Sequence, residues 1–219
     1  MPSTPTAPID AVIFDCDGTL VDSEPLAAEA MLAAAVELGM SPRVSQDISA
    51  FEGQSMGASL LILEERLGRP LPPDFLPRLR ERMAGVFRAR LKEIPGALAM
   101  LGCLRPRCCV ASNGPREKIE LVLGITGLLP YFQGRVFSAD EVGSYKPEPG
   151  LFLHAAGAMG AAPQHCVVVE DSLAGLRAGL AAGMRVYAYR PLHALPDELR
   201  GRVTLLERLS DLCAEAWNK

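Results

Sequence analysis

Four short, mostly apolar runs, Ala11–Phe14, Cys108–Ala111, Cys166–Val169 and Arg185–Ala188, punctuate this chain, and each gives way to polar or glycine residues. Runs of this length without strict alternation predict strands buried on both faces. Between the last three lie stretches with helical character, at Pro115–Leu123, Pro149–Met159 and Ser172–Ala182. Strand and helix in alternation predict an α/β fold with a doubly wound parallel sheet of Rossmann-like type.

The gap between the first two strands is far longer than one crossover needs, and it carries helices of its own. Glu24–Leu38 follows Asp22 and Ser23, has Pro25 in its first turn and stops at Gly39; proline inside the start and glycine past the end is the expected asymmetry. Met56–Leu67 ends at Gly68, and a turn with Pro70, Pro72 and Pro73 leads into Asp74–Leu91. Residues 23–90 are therefore expected to form an inserted α-helical cap domain over the strand ends, a build suited to opening and closing. Residues 9–22 and 91–219 form the core domain in this reading, and 1–8 a disordered tail. Gly175, Gly179 and Gly183 recur every fourth residue, which in a helix beside Arg177 predicts close packing on the sheet rather than membrane dimerisation.

Composition narrows the class. With 219 residues, 22 basic and 26 acidic, the net charge of −4 argues against a general nucleic-acid binder. No stretch is long and apolar enough for a membrane span, and the Pro-, Ser- and Thr-rich start resembles no secretory signal. The six cysteines include no C-x-x-C; Cys16, Cys108, Cys109 and Cys166 lie in apolar runs as small hydrophobes. The expectation is a cytoplasmic protein, a monomer or weak homodimer, whose partner is a small molecule.

Polar groups gather where the strands end. Asp15-Cys16-Asp17-Gly18-Thr19 sets two carboxylates two residues apart after the first strand. Acids this close repel unless a cation neutralises them or one holds a proton, an arrangement for magnesium, for a nucleophile beside a general acid, or for both. Ser112-Asn113-Gly114 opens the helix near Pro115, offering a hydroxyl, an amide and backbone N–H groups to an anion; alone it is also an ordinary capped turn. Lys146-Pro147-Glu148-Pro149 read by itself is a solvated lysine in a proline-rich loop, and Glu170-Asp171-Ser172 by itself complements a helix dipole. Taken together, the four carry the groups one magnesium–phosphate site uses.

In this order and spacing, Asp15-x-Asp17-Gly18-Thr19, Ser112, Lys146 and Glu170-Asp171 resemble the four motifs of the haloacid dehalogenase-like hydrolases. The likeness covers nearly the whole chain and leans toward the branch of sugar-phosphate phosphatases and β-phosphoglucomutase-like enzymes with a small helical cap. D-C-D-G-T-L-V-D-S-E with S-N-G-P is most similar to members that hydrolyse phosphosugars or 6-phosphogluconate. The resemblance implies Asp15 as nucleophile, forming an aspartyl phosphate, and Asp17 as acid and then base. It implies Mg2+ held by Asp15, Asp17 through its carbonyl, and Asp171, with Glu170 nearby as a second-shell or direct ligand. Ser112, Asn113 and Lys146 would meet the phosphoryl oxygens.

Other readings remain open at this level. A phosphosugar mutase of the β-phosphoglucomutase kind is disfavoured because its cap-helix histidine position is Ala27 here, and its cap-loop arginine is replaced by Gly53-Gln54-Ser55-Met56. Glu24, Gln54 and Ser55 are candidates to select the substrate, while Arg80, Arg82, Arg88, Arg90 and Lys92 read as a solvated helix face. Gly53–Gly57 also fits G-x-S-x-G, a serine esterase with Ser55 as nucleophile, but Ser45–Glu52 is no buried strand and His154, His165 and His193 show no triad logic. A non-catalytic binding protein with the same pocket is the remaining alternative.

Overall fold

The computed structural model describes residues 8–41, 51, 56–191 and 194–214. Six parallel strands make one sheet: β1 (Ala11–Phe14), β2 (Arg107–Ser112), β3 (Val136–Ser138), β4 (Cys166–Glu170), β5 (Arg185–Tyr189) and β6 (Thr204–Leu206). Their spatial order is β3-β2-β1-β4-β5-β6. The chain moves outward from β1 to β3, then returns to add β4 on the other side of β1. That reversal creates a crevice at the carboxyl ends of β1 and β4, where open α/β sheets bind ligands. Phe14, the last residue of β1, stands opposite Val110 and Val169, so three strands end at nearly one level.

Both faces of the central strands are covered, as their unbroken apolar runs require. Ile13, Ala111, Val168 and Val186 join one core with Leu151, Phe152 and Ala155 of a helix at Gly150–Ala158 and Leu176 of another at Leu173–Ala181. The alternate residues Val12, Phe14, Val110, Val167 and Val169 are fully buried as well. Each such side chain contributes roughly 1.5–3 kcal/mol relative to exposure. Gly179 is needed for the helix to approach: a Cβ there would lie 2.8 Å from Val186 Cγ2 and 3.3 Å from Val168 Cβ. Gly183 has a different task. It ends the turn after that helix at φ 72° with nothing close by.

Helices of seven residues or more among the described residues are, in chain order, α1 (Glu24–Glu37), α2 (Met56–Leu67), α3 (Phe75–Arg90), α4 (Ala97–Cys103), α5 (Arg116–Ile125), α6 (Gly150–Ala158) and α7 (Leu173–Ala181), with single turns at Leu129–Phe132 and Ala139–Val142. The six helices expected from the sequence lie within two residues of these bounds. Edge strands β3 and β6, three residues each, and helix α4 were not expected.

The chain divides into two compact units, Met1–Val21 with Glu93–Lys219, and Asp22–Lys92. The second unit is helical. Phe75, Leu79, Met83 and Phe87, four apart along α3, are buried, and α3 packs on α1. The basic series on α3 is partly engaged at that seam, through Arg82 with Glu37 at 2.5 Å and Arg90 with Glu29 at 2.6 Å.

No helix among the described residues is long and apolar enough to cross a membrane. Cys16, Cys108, Cys109 and Cys166 are free and buried, as their apolar surroundings suggested. Cys103 and Cys213, 110 residues apart, form a disulfide that ties the end of α4 to the 3-10 helix Leu209–Ala214.

Candidate active site

The loop after β1 is built by its own backbone. Leu20 and Val21 N–H groups both donate to the Cys16 carbonyl, and Gly18 N–H donates to the Val21 carbonyl at 2.9 Å. Gly18 adopts φ 75°, in the left-handed region that glycine enters at little cost. Space demands glycine there too. A Cβ on Gly18 would lie 2.2 Å from Asp171 Oδ2, so its absence lets the carboxylate after β4 rest against the loop after β1. Thr19, fully buried, donates its hydroxyl to Asp171 Oδ1 at 2.8 Å and fixes that carboxylate.

Lys146 is the hub. It is 7% exposed, and its ammonium pairs with Asp15 Oδ1 and, at 2.7 Å, with Glu170 Oε1. Phe152 underlies it, with the ring centroid 5.0 Å from Nζ. Glu170 is fully buried, and its other oxygen accepts from Ser172 N–H at 2.8 Å and Ser172 Oγ at 2.9 Å. The same Ser172 hydroxyl accepts from Gly175 N–H and caps α7. The Lys146–Pro147 bond is cis.

Asn113 holds this lysine by its main chain. Its Oδ1 accepts from Lys146 N–H at 2.9 Å, and its Nδ2 donates to the Lys146 carbonyl at 3.3 Å. The Asn113 side-chain amide, expected at the phosphate, is thus engaged on both its atoms with the Lys146 main chain. Ser112, buried at the end of β2, accepts from Gly114 N–H at 3.1 Å.

A second lysine stands at the site that no sequence pattern indicated. Lys118, in the first turn of α5, pairs its ammonium with Asp17 Oδ2. A cation in a helix's first turn opposes the helix dipole, and that misfit was the available signal.

Charge and burial set the protonation behaviour. Burial lifts the Asp15 carboxyl to about 7 against the pull of Lys146, with Glu170 and Asp17 adding to the rise. Burial opposes the charge on Lys146, but Asp15 and Glu170 outweigh it and hold the ammonium well above its ordinary range. The same contest at Lys118, burial against Asp17, also leaves the ammonium raised.

Among the described residues no three His, Cys, Asp or Glu side chains form a ready metal cluster. The donors nonetheless suit magnesium, a hard cation that keeps several waters and takes one or two carboxylates. Asp15 and Glu170 meet the ammonium of Lys146 and Asp17 that of Lys118, while Asp171, a fourth carboxylate, rests against Gly18. The Gly18 cradle presses Asp171 against the loop that carries Asp15 and Asp17.

The remaining expected residues lie elsewhere or beyond description. Glu24 is exposed at the start of α1, while Gln54, Ser55 and His193 fall outside the described residues. His154 packs edge-on against Phe137 at 5.5 Å between ring centroids, and His165 pairs with Asp10 at 3.0 Å.

Residues 9–183 match the family described as haloacid dehalogenase-like hydrolase, and the chain belongs to that family. It is 34% identical over 210 residues to the 6-phosphogluconate phosphatase of Escherichia coli, covering 95% of each chain. A crystal structure of a HAD family hydrolase from Deinococcus radiodurans, with bound phosphate and sodium, is 33% identical, with a TM-score of 0.73 over 94% of both chains. A putative β-phosphoglucomutase from Thermotoga maritima is 29% identical, with a TM-score of 0.76 over 94% of this chain and 97% of that one.

Proposed function

We propose that this phosphoric monoester hydrolase acts on a small phosphorylated metabolite, a sugar phosphate or a phosphorylated sugar acid such as 6-phosphogluconate, with magnesium and an aspartyl-phosphate intermediate. The observation that carries the reading is the convergence of Asp15, Asp17, Ser112 and Asp171, at or just after the carboxyl ends of β1, β2 and β4, with Lys146 from the segment between β3 and α6. The likeness to a 6-phosphogluconate phosphatase over 95% of both chains supports the substrate class.

Asp15 is the nucleophile in this reading. Its carboxylate oxygen bonds to phosphorus as the bond from phosphorus to the ester oxygen breaks, and Asp17 gives its proton to the departing alkoxide. Asp17 then takes a proton from water as that water attacks the aspartyl phosphate, releasing inorganic phosphate and restoring Asp15. Lys146 and the N–H groups around Ser112 and Asn113 meet charge on the transferring phosphoryl group, the main task in a reaction whose acceleration reaches ~10²¹-fold. Magnesium, held by the carboxylates of Asp15 and Asp171 and the carbonyl of Asp17, would supply further positive charge to the phosphoryl oxygens.

Phosphate release from p-nitrophenyl phosphate, sugar phosphates and 6-phosphogluconate, with magnesium or with EDTA, tests this. Release that needs magnesium and disappears in Asp15→Asn is the expected result. Release indifferent to both would overturn the mechanism and reopen the serine esterase reading.

A further inference from the structure

Three cations lie on or beside the loop after β2, and two of them are fully committed. Arg116 forks onto Glu141 at 2.5 and 2.6 Å and donates to the Val136 carbonyl at 2.7 Å, bracing α5 against β3 and the turn that follows it. Lys146 is sealed between Asp15 and Glu170. Lys118 differs in its partner: its ammonium rests on Asp17, the acid of the proposed reaction, and its side chain keeps 30% of its exposure, as Arg116 keeps 32%, where Lys146 keeps 3%.

Its path into the site is also built. A Cβ on Gly114 would meet Lys118 Cδ at 3.4 Å and Ser112 Oγ at 3.5 Å. The lysine stem therefore runs over Gly114, next to the Ser112 hydroxyl, before its ammonium reaches Asp17. The group that protonates the leaving oxygen must stand beside that oxygen, so a cation paired with its carboxylate stands beside the leaving group as well. An ammonium carries three donors, and one carboxylate oxygen engages one of them.

We infer that Lys118 is a specificity-determining residue that binds a carboxylate carried by the leaving group, so that the site favours phosphorylated sugar acids over neutral phosphosugars. The inference rests on the phosphatase reading and on Asp17 as the group beside the leaving oxygen. Lysine suits the task as a compact, mobile charge on a flexible stem. The contact it already makes, to a carboxylate, is the contact the substrate would offer.

A matched pair isolates the effect. 6-Phosphogluconate and glucitol 6-phosphate share one carbon chain and differ by a carboxylate in place of a hydroxymethyl group. The readout is the ratio of their kcat/KM values in wild type, Lys118→Met and Lys118→Arg. Any general loss that acts through Asp17 cancels in that ratio. Wild type should prefer the acid, and Lys118→Met should lower the ratio by about 10- to 100-fold, the range of a hydrogen bond between charged groups. Lys118→Arg should restore most of it. An unchanged ratio in Lys118→Met, or a wild type without preference for the acid, overturns the inference while leaving the phosphatase reading intact. A wild type that hydrolyses neither compound nor p-nitrophenyl phosphate sinks that reading and this one with it.

Discussion

Gly175 and Glu170 compete for one volume. A Cβ on Gly175 would lie 1.9 Å from Glu170 Oε1 and 2.0 Å from its Cδ. The carboxylate that anchors Lys146 thus reaches its position only because the first turn of α7 holds a residue lacking a side chain. Gly175→Ala should force Glu170, or the first turn of α7, to move. Overpacking of this kind costs about 1–3 kcal/mol, a fall of roughly 2–12 °C in Tm for a chain of this size. Activity should fall further than stability explains, because Lys146 loses its anchor. Thermal melts beside kcat at 25 °C check this; an unchanged Tm would show that the helix gives way freely.

Asn113 and Lys146 lie 33 residues apart and are joined by two hydrogen bonds, one in each direction. Asn113→Ala removes both. At about 0.5–1.5 kcal/mol each, their loss should lower kcat/KM roughly 5- to 150-fold by freeing the Lys146 loop. Asn113→Asp keeps the acceptor for Lys146 N–H and should retain more activity than alanine. If the two variants are equal, the amide does not act through the lysine backbone.

The strands that carry the site were legible because their burial on both faces leaves unbroken apolar runs, as in Val167–Val169. β3 and β6 were not, since three residues hold no pattern and Leu205 of β6 is 64% exposed. Lys146 looked like a solvated loop lysine because its partners, Asp15 and Glu170, lie 131 and 24 residues away. Only the joint spacing of four motifs pointed to it. Asn113 was read from its amide's chemistry, but a neighbouring loop satisfies that amide first. Gly175 was recognised as a packing glycine against the sheet, and what meets it there is the carboxylate of Glu170, the last residue of β4. The disulfide between Cys103 and Cys213 follows no local motif and depends on where the chain returns.

The buried thiols give a pH dependence of definite sign. Burial raises Cys108, against Arg135, and raises Cys166 with help from Asp10, each to about 11. Unfolded cysteine titrates near 8.5. Between about pH 8.5 and 11 the native state keeps these protons and the unfolded chain loses them, so stability falls as pH rises through that window and is unaffected below it. Urea midpoints at pH 7.5 and 10 should show a smaller fall in the Cys108→Ala/Cys166→Ala double variant than in wild type. Equal falls would assign the alkaline loss to other groups.

Magnesium binding has a signature independent of turnover. A ligand at 100 times its Kd adds about 2.7 kcal/mol to native stability, or roughly 5–11 °C in Tm at this size. Wild type should therefore melt higher with magnesium than with EDTA. Asp171→Ala removes a proposed carboxylate ligand and should abolish the difference. Thr19→Val should reduce it only in part, because the Thr19 hydroxyl, 2.8 Å from Asp171 Oδ1, orients a carboxylate that would still be present. That graded order separates a site at Asp171 from general screening of an acidic protein. Screening would raise all three melting curves alike, and calcium or high sodium would reproduce it; a site built on Asp171 and steadied by Thr19 would rank the three proteins by how much of it each retains.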